Sequence, residues 1–400
     1  MNFMNKGKKV LSENQTEEQP ISTNQTNSNQ FQLRKKMLFM IAALAVLLIV
    51  IFLIVFLVRA IGGSNLSYQE IENRMRNAAI EYYKENESFL PDEQGTSAEV
   101  SADTLADNGF MDPLSKLRQD DECEGTVVVE LVNGEYRYTP YLECGTNYVT
   151  KELYQAVIDQ DTVATGDGLY QMNGEYVFRG ENVNNYVQLD NQLFRIVKVT
   201  ADHEVLIIPE FNRNQYLTYT WDDRYNTEAN SNVGINSFDV SRIYDYLQEI
   251  YKTGQIGSME FLSDNDKEKL VPYDLCMGKR SEQETNNTNT LECTSTIPNQ
   301  MIGLLTVSDY LNASSDLNCH ATTDRVCQNY NYLSSNVSTN WWLMTASTEN
   351  TYSVYYVSGG GYVNLNSAIN YYGIRPTIML GSQVMIESGD GSSENPYHLR

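Results

Sequence analysis

The chain has 400 residues and a formal charge of −24, from 28 basic and 52 acidic side chains. So acidic a surface excludes nucleic acid and anionic lipid as electrostatic partners. Residues 1–36 are rich in Asn, Gln, Ser and Thr, with eight scattered apolar side chains. They cannot bury enough surface to offset chain entropy, so a disordered tail is expected. Residues 37–58, from Met37 to Val58, then run without a charge, a Pro or a Gly. At about 1.5 Å per residue, such a run crosses a roughly 30 Å hydrocarbon core as one helix. Lys6, Lys8, Lys9, Arg34, Lys35 and Lys36 precede it, and only Arg59 follows closely. The positive-inside bias predicts a single-pass protein of the cell membrane with a cytoplasmic N-terminus and an extracellular remainder. A cleaved signal peptide would need a shorter apolar core and a small-residue cleavage site. Arg59-Ala60-Ile61-Gly62-Gly63 does not supply one. The part after the run carries 22 basic against 49 acidic residues, a balance of −27.

Beyond the run, Gly62-Gly63 reads as a flexible joint. Ser67-Tyr68-Gln69-Glu70 reads as a capping box, and Ile71, Met75, Ala78 and Tyr82 follow at helical spacing, which predicts an amphipathic helix over 68–86. Residues 92–103 are polar and loop-like. A short helix is expected within 105–114, with a turn at Asn108-Gly109. Strand-like segments 126–130 and 135–139 flank Asn133-Gly134, the strongest two-residue hairpin signal. In that register paired numbers sum to 267, as do Cys123 and Cys144. The two are then directly opposed at a non-hydrogen-bonded position, within disulfide reach. A helix over 148–160 completes a small helix-plus-hairpin module spanning roughly 64–150.

A larger α+β unit of mixed antiparallel sheet is expected over 162–400. Segments 169–172, 176–179, 186–189, 193–199 and 204–208 read as a meander, with turns at Asn173-Gly174 and Asp190-Asn191. Val240, Ile243, Leu247 and Ile250 mark a helix over 238–252, and 264–271 a shorter one. Residues 278–291 are polar and read as an exposed loop tethered by Cys276 and Cys293. Segment 301–306 is strand-like, with a helical turn over 308–311. Late strands are expected at 341–344, 354–357, 362–365 and 375–380, with Gly359-Gly360-Gly361 as a turn.

All six cysteines follow the apolar run, and an even number on the exported side points to disulfides. Cys276–Cys293 and Cys319–Cys327 are the pairings that close the shortest loops. No Cys pair has zinc-ligand spacing. Catalytic signatures are missing: there is no G-x-S-x-G, S-x-x-K, H-E-x-x-H or G-x-x-x-x-G-K. Asp316, His320 and Asp324 are a conceivable metal set, but a solvated loop histidine is the simpler reading, so no metal or cofactor is expected. Asp264-Asn265-Asp266 and Asp159-Gln160-Asp161 with Gly166-Asp167-Gly168 resemble calcium loops without the bidentate Glu such loops need. Trp341, Tyr355, Tyr356, Tyr371 and Tyr372 are the candidate ligand-binding residues, on the reasoning that strand alternation exposes one of each neighbouring pair of aromatics. Arg375 is read as a buried ion-pair partner.

Four stretches carry a family resemblance. They are Tyr176-Val177-Phe178-Arg179-Gly180 with Asn184-Asn185-Tyr186-Val187 and Phe194-Arg195-Ile196-Val197; Gly303-Leu304-Leu305-Thr306-Val307-Ser308-Asp309-Tyr310 leading to Cys319; Asn340-Trp341-Trp342-Leu343 with Ile374-Arg375-Pro376; and Gly389-Asp390-Gly391-Ser392-Ser393-Glu394-Asn395-Pro396-Tyr397. On these, residues 165–400 resemble a domain-of-unknown-function family of surface proteins in low-GC Gram-positive bacteria. The order of a late Trp, a Gly-rich hairpin and an Arg-Pro strand also resembles the C-type-lectin-like fold shared with formylglycine-generating enzymes, which implies a binding scaffold. The chain departs from the family at Phe194, where a Trp is usual, and at Met344-Thr345-Ala346. Asn77-Ala78-Ala79-Ile80-Glu81-Tyr82-Tyr83 and segment 105–114 resemble pilin-like modules, although no prepilin leader precedes the apolar run.

Together these features lead us to expect a membrane-anchored protein that recognises an extracellular glycan or protein without catalysis. An extracytoplasmic enzyme on a formylglycine-type scaffold and a structural subunit of an envelope or pilus-like assembly are the alternatives. Protease shaving of intact cells is expected to cleave beyond Arg59 and spare residues 1–36. Protection of the large C-terminal part would contradict the topology.

Overall fold

A computed structural model describes residues 65–400 apart from 120, 133, 191, 212–216 and 335–338. The apolar run 37–58 and the tail before it lie outside the described residues. Among the described residues, no helix is long and apolar enough to cross a membrane. The fold is mixed α and β, dominated by antiparallel sheet, and holds two separate hydrophobic cores.

The first core begins with helix α1 (Tyr68–Glu85), whose first turn is capped by Ser67 Oγ accepting from the Glu70 amide at 3.2 Å. Its buried stripe is Ile71, Met75, Ala78, Ala79 and Tyr83. The stripe ends on Tyr83 rather than the expected Tyr82, which stands edge-on to Phe110 at 5.6 Å. Strand β1 (Ser97–Ser101) overturns the loop expected over 92–103. Only Val100 of this edge strand is buried, so no hydrophobic alternation marks it, and its backbone is satisfied by pairing with its neighbour. Helices α2 (Ala102–Asp107) and α3 (Leu114–Leu117) follow, then strands β2 (Cys123–Val132), β3 (Glu135–Cys144) and β4 (Tyr148–Val149), in sheet order β1-β2-β3-β4. The hairpin keeps the register read from Asn133-Gly134. Cys123 pairs with Cys144, their Cα atoms are 4.1 Å apart, and a disulfide joins them. Residues 148–149 pair with β3, so the helix expected from 148 is shorter: α4 spans Leu153–Ile158.

The two cores meet at a buried carboxylate. Glu72 of α1 accepts from Tyr148 Oη at 3.0 Å, from Thr150 Oγ1, and from both terminal nitrogens of Arg400. Glu72 sits within the helix's apolar stripe and is fully buried. Burial without those partners would be costly.

The second core is built on an eight-stranded sheet. Its early strands are β5 (Gly168–Met172), β6 (Glu175–Arg179), β7 (Tyr186–Leu189), β8 (Gln192–Val199) and β9 (Val205–Pro209), close to the expected meander. The meander has one departure. One edge of β8 pairs with β7 through Gln192–Arg195 and with β6 through Lys198 and Val199, so β6 and β7 share it. Strand β10 (Thr218–Thr220) belongs to a second sheet. Helix α5 (Arg242–Thr253) buries Ile243, Leu247 and Ile250 and ends at Gly254, where φ is 70°. Next come β11 (Gln255–Ile256), β12 (Met259–Glu260), α6 (Asp264–Lys267), β13 (Tyr273–Cys276), β14 (Thr296–Gln300) and α7 (Val307–Asn312). The strand expected over 301–306 is not formed. Ile302, Leu304 and Leu305 are buried, but only Gly303 makes a bridge, exchanging two backbone bonds with Thr377. The apolar run there reflects burial, not ladder pairing.

The second sheet has the order β10-β18-β15-β16-β17, with β15 (Trp341–Ala346), β16 (Ser353–Val357), β17 (Val363–Ser367) and β18 (Tyr371–Gly373). Strand β19 (Ile378–Leu380) returns to β9, while β21 (Tyr397–Leu399) runs parallel to β7 and pairs with β20 (Ile386–Ser388). Disulfides join Cys276 to Cys293 and Cys319 to Cys327, as the short-loop pairing predicts.

The polar segment 278–291 is not simply a solvated loop. Arg280 is fully buried at its centre. Its Nη1 donates to Glu292 Oε1 at 3.2 Å, Ser308 Oγ at 3.1 Å and Asn286 O at 3.0 Å, and its Nη2 donates to Glu284 O and Asn287 Oδ1. The loop needs no apolar side chain because it wraps this guanidinium. Arg280→Met leaves Glu292 buried without its cation and is expected to cost about 3–5 kcal/mol of unfolding free energy. A urea midpoint close to wild type would contradict this.

Candidate functional site

The second sheet separates its aromatics by face. On β15 and β16, Trp341 opposes Val357 and Tyr355 opposes Leu365 of β17. This face is inward. Trp341 stands edge-on to Tyr310 at 5.8 Å with the Arg375 guanidinium 5.2 Å from its ring, and Tyr355 Oη donates to Arg280 O at 3.3 Å. Trp341 and Tyr355 are buried, so these two nominated residues offer no contact surface. The reason is that β15 lies inside the sheet with the core behind it, and all six of its residues are buried. Trp342 is buried too, on the opposite face, so alternation alone does not expose a member of that pair.

The outward face carries a continuous aromatic row. Tyr219 pairs with Tyr372, Trp342 with Tyr356, and Tyr356 with Asn364. Cross-strand partners share a face. The Trp342 and Tyr372 rings are 4.6 Å apart, and those of Tyr356 and Tyr372 are 4.4 Å apart. Trp342 Nε1 donates to Tyr219 O at 3.0 Å, and Tyr246 of α5 stacks on Tyr219 at 4.4 Å. Tyr219, Tyr356 and Tyr372 are half-buried and close over Trp342. Tyr371, at the margin, is 67% exposed. Amides border the row: Asn366 Nδ2 donates to Tyr372 Oη at 2.5 Å, and Asn370 Nδ2 donates to Asn366 Oδ1 at 3.0 Å. Tyr356, Tyr371 and Tyr372 are therefore the accessible part of the nominated set. Tyr219 and the asparagines were missed. Tyr219 sits in a three-residue strand, and the asparagines lack a spacing pattern.

A second feature was also missed. A cleft of ≈ 730 Å³ opens between the sheets beside the Cys276–Cys293 disulfide, over Leu206, Leu304, Met344 and Met379. Lys198 Nζ in it lies 3.1 Å from Glu175 Oε1 and 3.7 Å from Asp309 Oδ1. Burial works against the charge of this lysine, but Asp309 and Glu175 outweigh it, so its pKa is raised. Asp309 is the N3 residue of α7 in a capping box. Its Oδ2 accepts from the Thr306 amide at 3.1 Å and Thr306 Oγ1 at 2.8 Å, and its Oδ1 accepts from Asn289 Nδ2 at 2.9 Å. The Thr306-to-Asp309 spacing was a readable capping signal. Lys198, by contrast, in a strand that also carries Gln192 and Arg195, did not mark a site.

The remaining acidic motifs serve turns. Asp324 Oδ2 accepts from the His320 and Ala321 amides, both at 2.8 Å, and Asp316 Oδ1 from the Asn318 amide at 3.0 Å. Asp266 completes the capping box of α6 with Ser263. Asp167 accepts from the Glu181 and Asn182 amides and from Ser315 Oγ. Among the described residues, no group of three or more His, Cys, Asp or Glu side chains is placed to hold a metal.

A family model described as a domain of unknown function (DUF6273) matches residues 211–382. That span contains the whole aromatic row and Asp309, but not Lys198 or Glu175. No curated protein matches the chain, and no solved structure does.

Burial and the neighbouring Tyr372 push the Tyr356 hydroxyl up to about 12. Burial likewise pushes up Tyr273, Tyr310, Tyr332 and Tyr355. The unfolded chain releases these protons near pH 10, while the folded chain keeps them. Stability must therefore fall as the pH rises above about 10. Urea midpoints at pH 9 and pH 11 are expected to show the drop, with a smaller one in Tyr356→Phe.

Proposed function

We propose that the part of the chain beyond residues 37–58 is a noncatalytic recognition module, displayed on the outside of a Gram-positive cell and anchored by that apolar run. One observation carries the reading: the half-buried outward tyrosines Tyr219, Tyr372 and Tyr356 about the buried Trp342, bordered by Asn364, Asn366 and Asn370. The C–H faces of sugar rings pack on such half-exposed aromatics, while neighbouring amides exchange hydrogen bonds with hydroxyls. The ligand favoured is an extracellular glycan, and a protein surface is the second candidate. The 162–400 unit would then be a lectin-like scaffold that has kept its binding face and lost catalysis. The formylglycine-type alternative needs a reactive thiol pair. Cys319 and Cys327, its candidates, are joined in a disulfide.

Each stacked ring contributes about 0.5–1.5 kcal/mol beyond its area. Tyr356→Ala with Tyr372→Ala is thus expected to weaken binding by roughly 5- to 150-fold. Glycan arrays and pull-downs with the full-length chain in detergent check this. Unchanged binding by the double variant would refute the site. An empty array and pull-down beside a positive activity screen would refute the reading.

A further inference from the structure

Lys198, Glu175 and Asp309 form a set that recognition does not use. The three come from separate places: Lys198 from β8, Glu175 from the start of β6, and Asp309 from the first turn of α7. Side-chain exposure is 14% for Lys198 and 9% for Asp309, so both charges are largely out of water. Both carboxylate oxygens of Glu175 lie within 3.2 Å of Lys198 Nζ. Asp309 presents its two oxygens differently. Oδ2 is held by two donors from Thr306, and Oδ1 faces the lysine.

We propose that Lys198 and Asp309 condense into an intramolecular amide, with Glu175 as the proton relay. Lys198 first passes a proton to Glu175. The transfer runs against the two carboxylates that hold Lys198 charged, so the neutral amine is a minor species that the condensation consumes. Glu175 hands that proton to Oδ1 of Asp309, and the neutral Nζ attacks Cγ of the resulting carboxylic acid. Charge developing on Oδ2 is received by the Thr306 amide and hydroxyl, two donors already in place. Oδ1, the oxygen next to lysine and glutamate, leaves as water with the proton that Glu175 delivered and one from the attacking nitrogen. The new bond is Nζ–Cγ and the broken bond is Cγ–Oδ1. An ammonium and a carboxylate are consumed, one amide and one water are made, and no oxidant or cofactor takes part. Oδ2 survives as the amide oxygen, so the cap of α7 is kept. Asn289, which donates to Oδ1, would transfer its bond to the departing water.

The product would be a covalent link between the eight-stranded sheet and the segment that carries the second sheet. Intact mass of the full-length chain, denatured and fully reduced, tests it. The wild type is expected to be lighter than its sequence by one water, and digestion should yield a branched peptide joining Lys198 to Asp309. Lys198→Arg, Asp309→Ala and Glu175→Gln are each expected to restore the full mass. Glu175→Gln keeps both reacting groups and loses only the relay, and the mass can be read whether or not a variant folds well. A wild-type chain of unmodified mass would overturn the proposal. So would a missing water that maps to a cyclised Asp or Asn elsewhere, and a water loss that persists in Glu175→Gln would overturn the relay.

Discussion

The ion pair between Arg280 and Glu292, shielded completely from water, is the constraint on which the second core depends. It gives a long polar loop a folded shape without any hydrophobic anchor. The Arg280 amide donates to Ala346 O, and its own carbonyl accepts from Thr348 N and Tyr355 Oη, which fixes the loop to β15 and β16. Glu292 in turn accepts from the amide and hydroxyl of Ser308, setting the first turn of α7. Asp309, the next residue, owes its position in the cleft to that turn. Desolvating two charges is expensive, and the geometry here offsets it by pairing the carboxylate and both terminal guanidinium nitrogens from several elements at once, while Nε has no partner among the described residues. The pair therefore specifies an arrangement as much as it stabilises one.

A second constraint is how the two sheets meet. The aromatic row and the cleft both follow from it. The inner face of the second sheet must supply core, so Trp341 and Tyr355 turn towards Tyr310, Arg375 and the Arg280 carbonyl. The outer face meets α5 at its Tyr219 end, where Tyr246 stacks at 4.4 Å. On this face the cross-strand pairs carry rings large enough to close over Trp342 themselves. Near the Cys276–Cys293 disulfide the sheets are apart, and the gap is floored by Leu206, Leu304, Met344 and Met379. Lys198 can occupy a strand there because Glu175 and Asp309 answer its charge. The neighbouring Val197 is buried, and a register shift between Ile196 and Lys198 interrupts the strand's alternation there.

Much of the fold could be read from residues alone where local physics decides. Asn133-Gly134 set the hairpin register, and with it the Cys123–Cys144 bond, because a two-residue turn leaves no freedom of pairing. The meander strands were legible because alternation or a short apolar run reports burial directly. What escaped was set by distant partners. Strand β1 is held by β2 and shows no alternation. Segment 301–306 has a strand's composition, but its backbone meets two separate partners, Thr377 at Gly303 and Met344 at Leu305, instead of one ladder. Arg280 looked like a surface residue of a polar loop, since nothing nearby in sequence announces Glu292 as its mate. The candidate site divided the same way. Aromatic composition marked the second sheet, but which ring faces outward depended on where the core lay. Lys198 and Asp309, far apart in sequence, could be joined only by the tertiary structure.

The disulfides show what the covalent frame leaves undone. They close loops of 21, 17 and 8 residues, each within one neighbourhood of the chain. Closures of this length each remove about 2.5–3.5 kcal/mol of chain entropy from the unfolded state, but only within their own neighbourhood. None of them ties the eight-stranded sheet to the second one. That union rests on the Gly303–Thr377 exchange, on the β19 return to β9, on hydrophobic contact, and on the Lys198 cluster. The position where covalent closure would matter most is thus the one where a lysine and a carboxylate face each other at the mouth of the cleft. The same opening that separates the sheets leaves that pair room to meet.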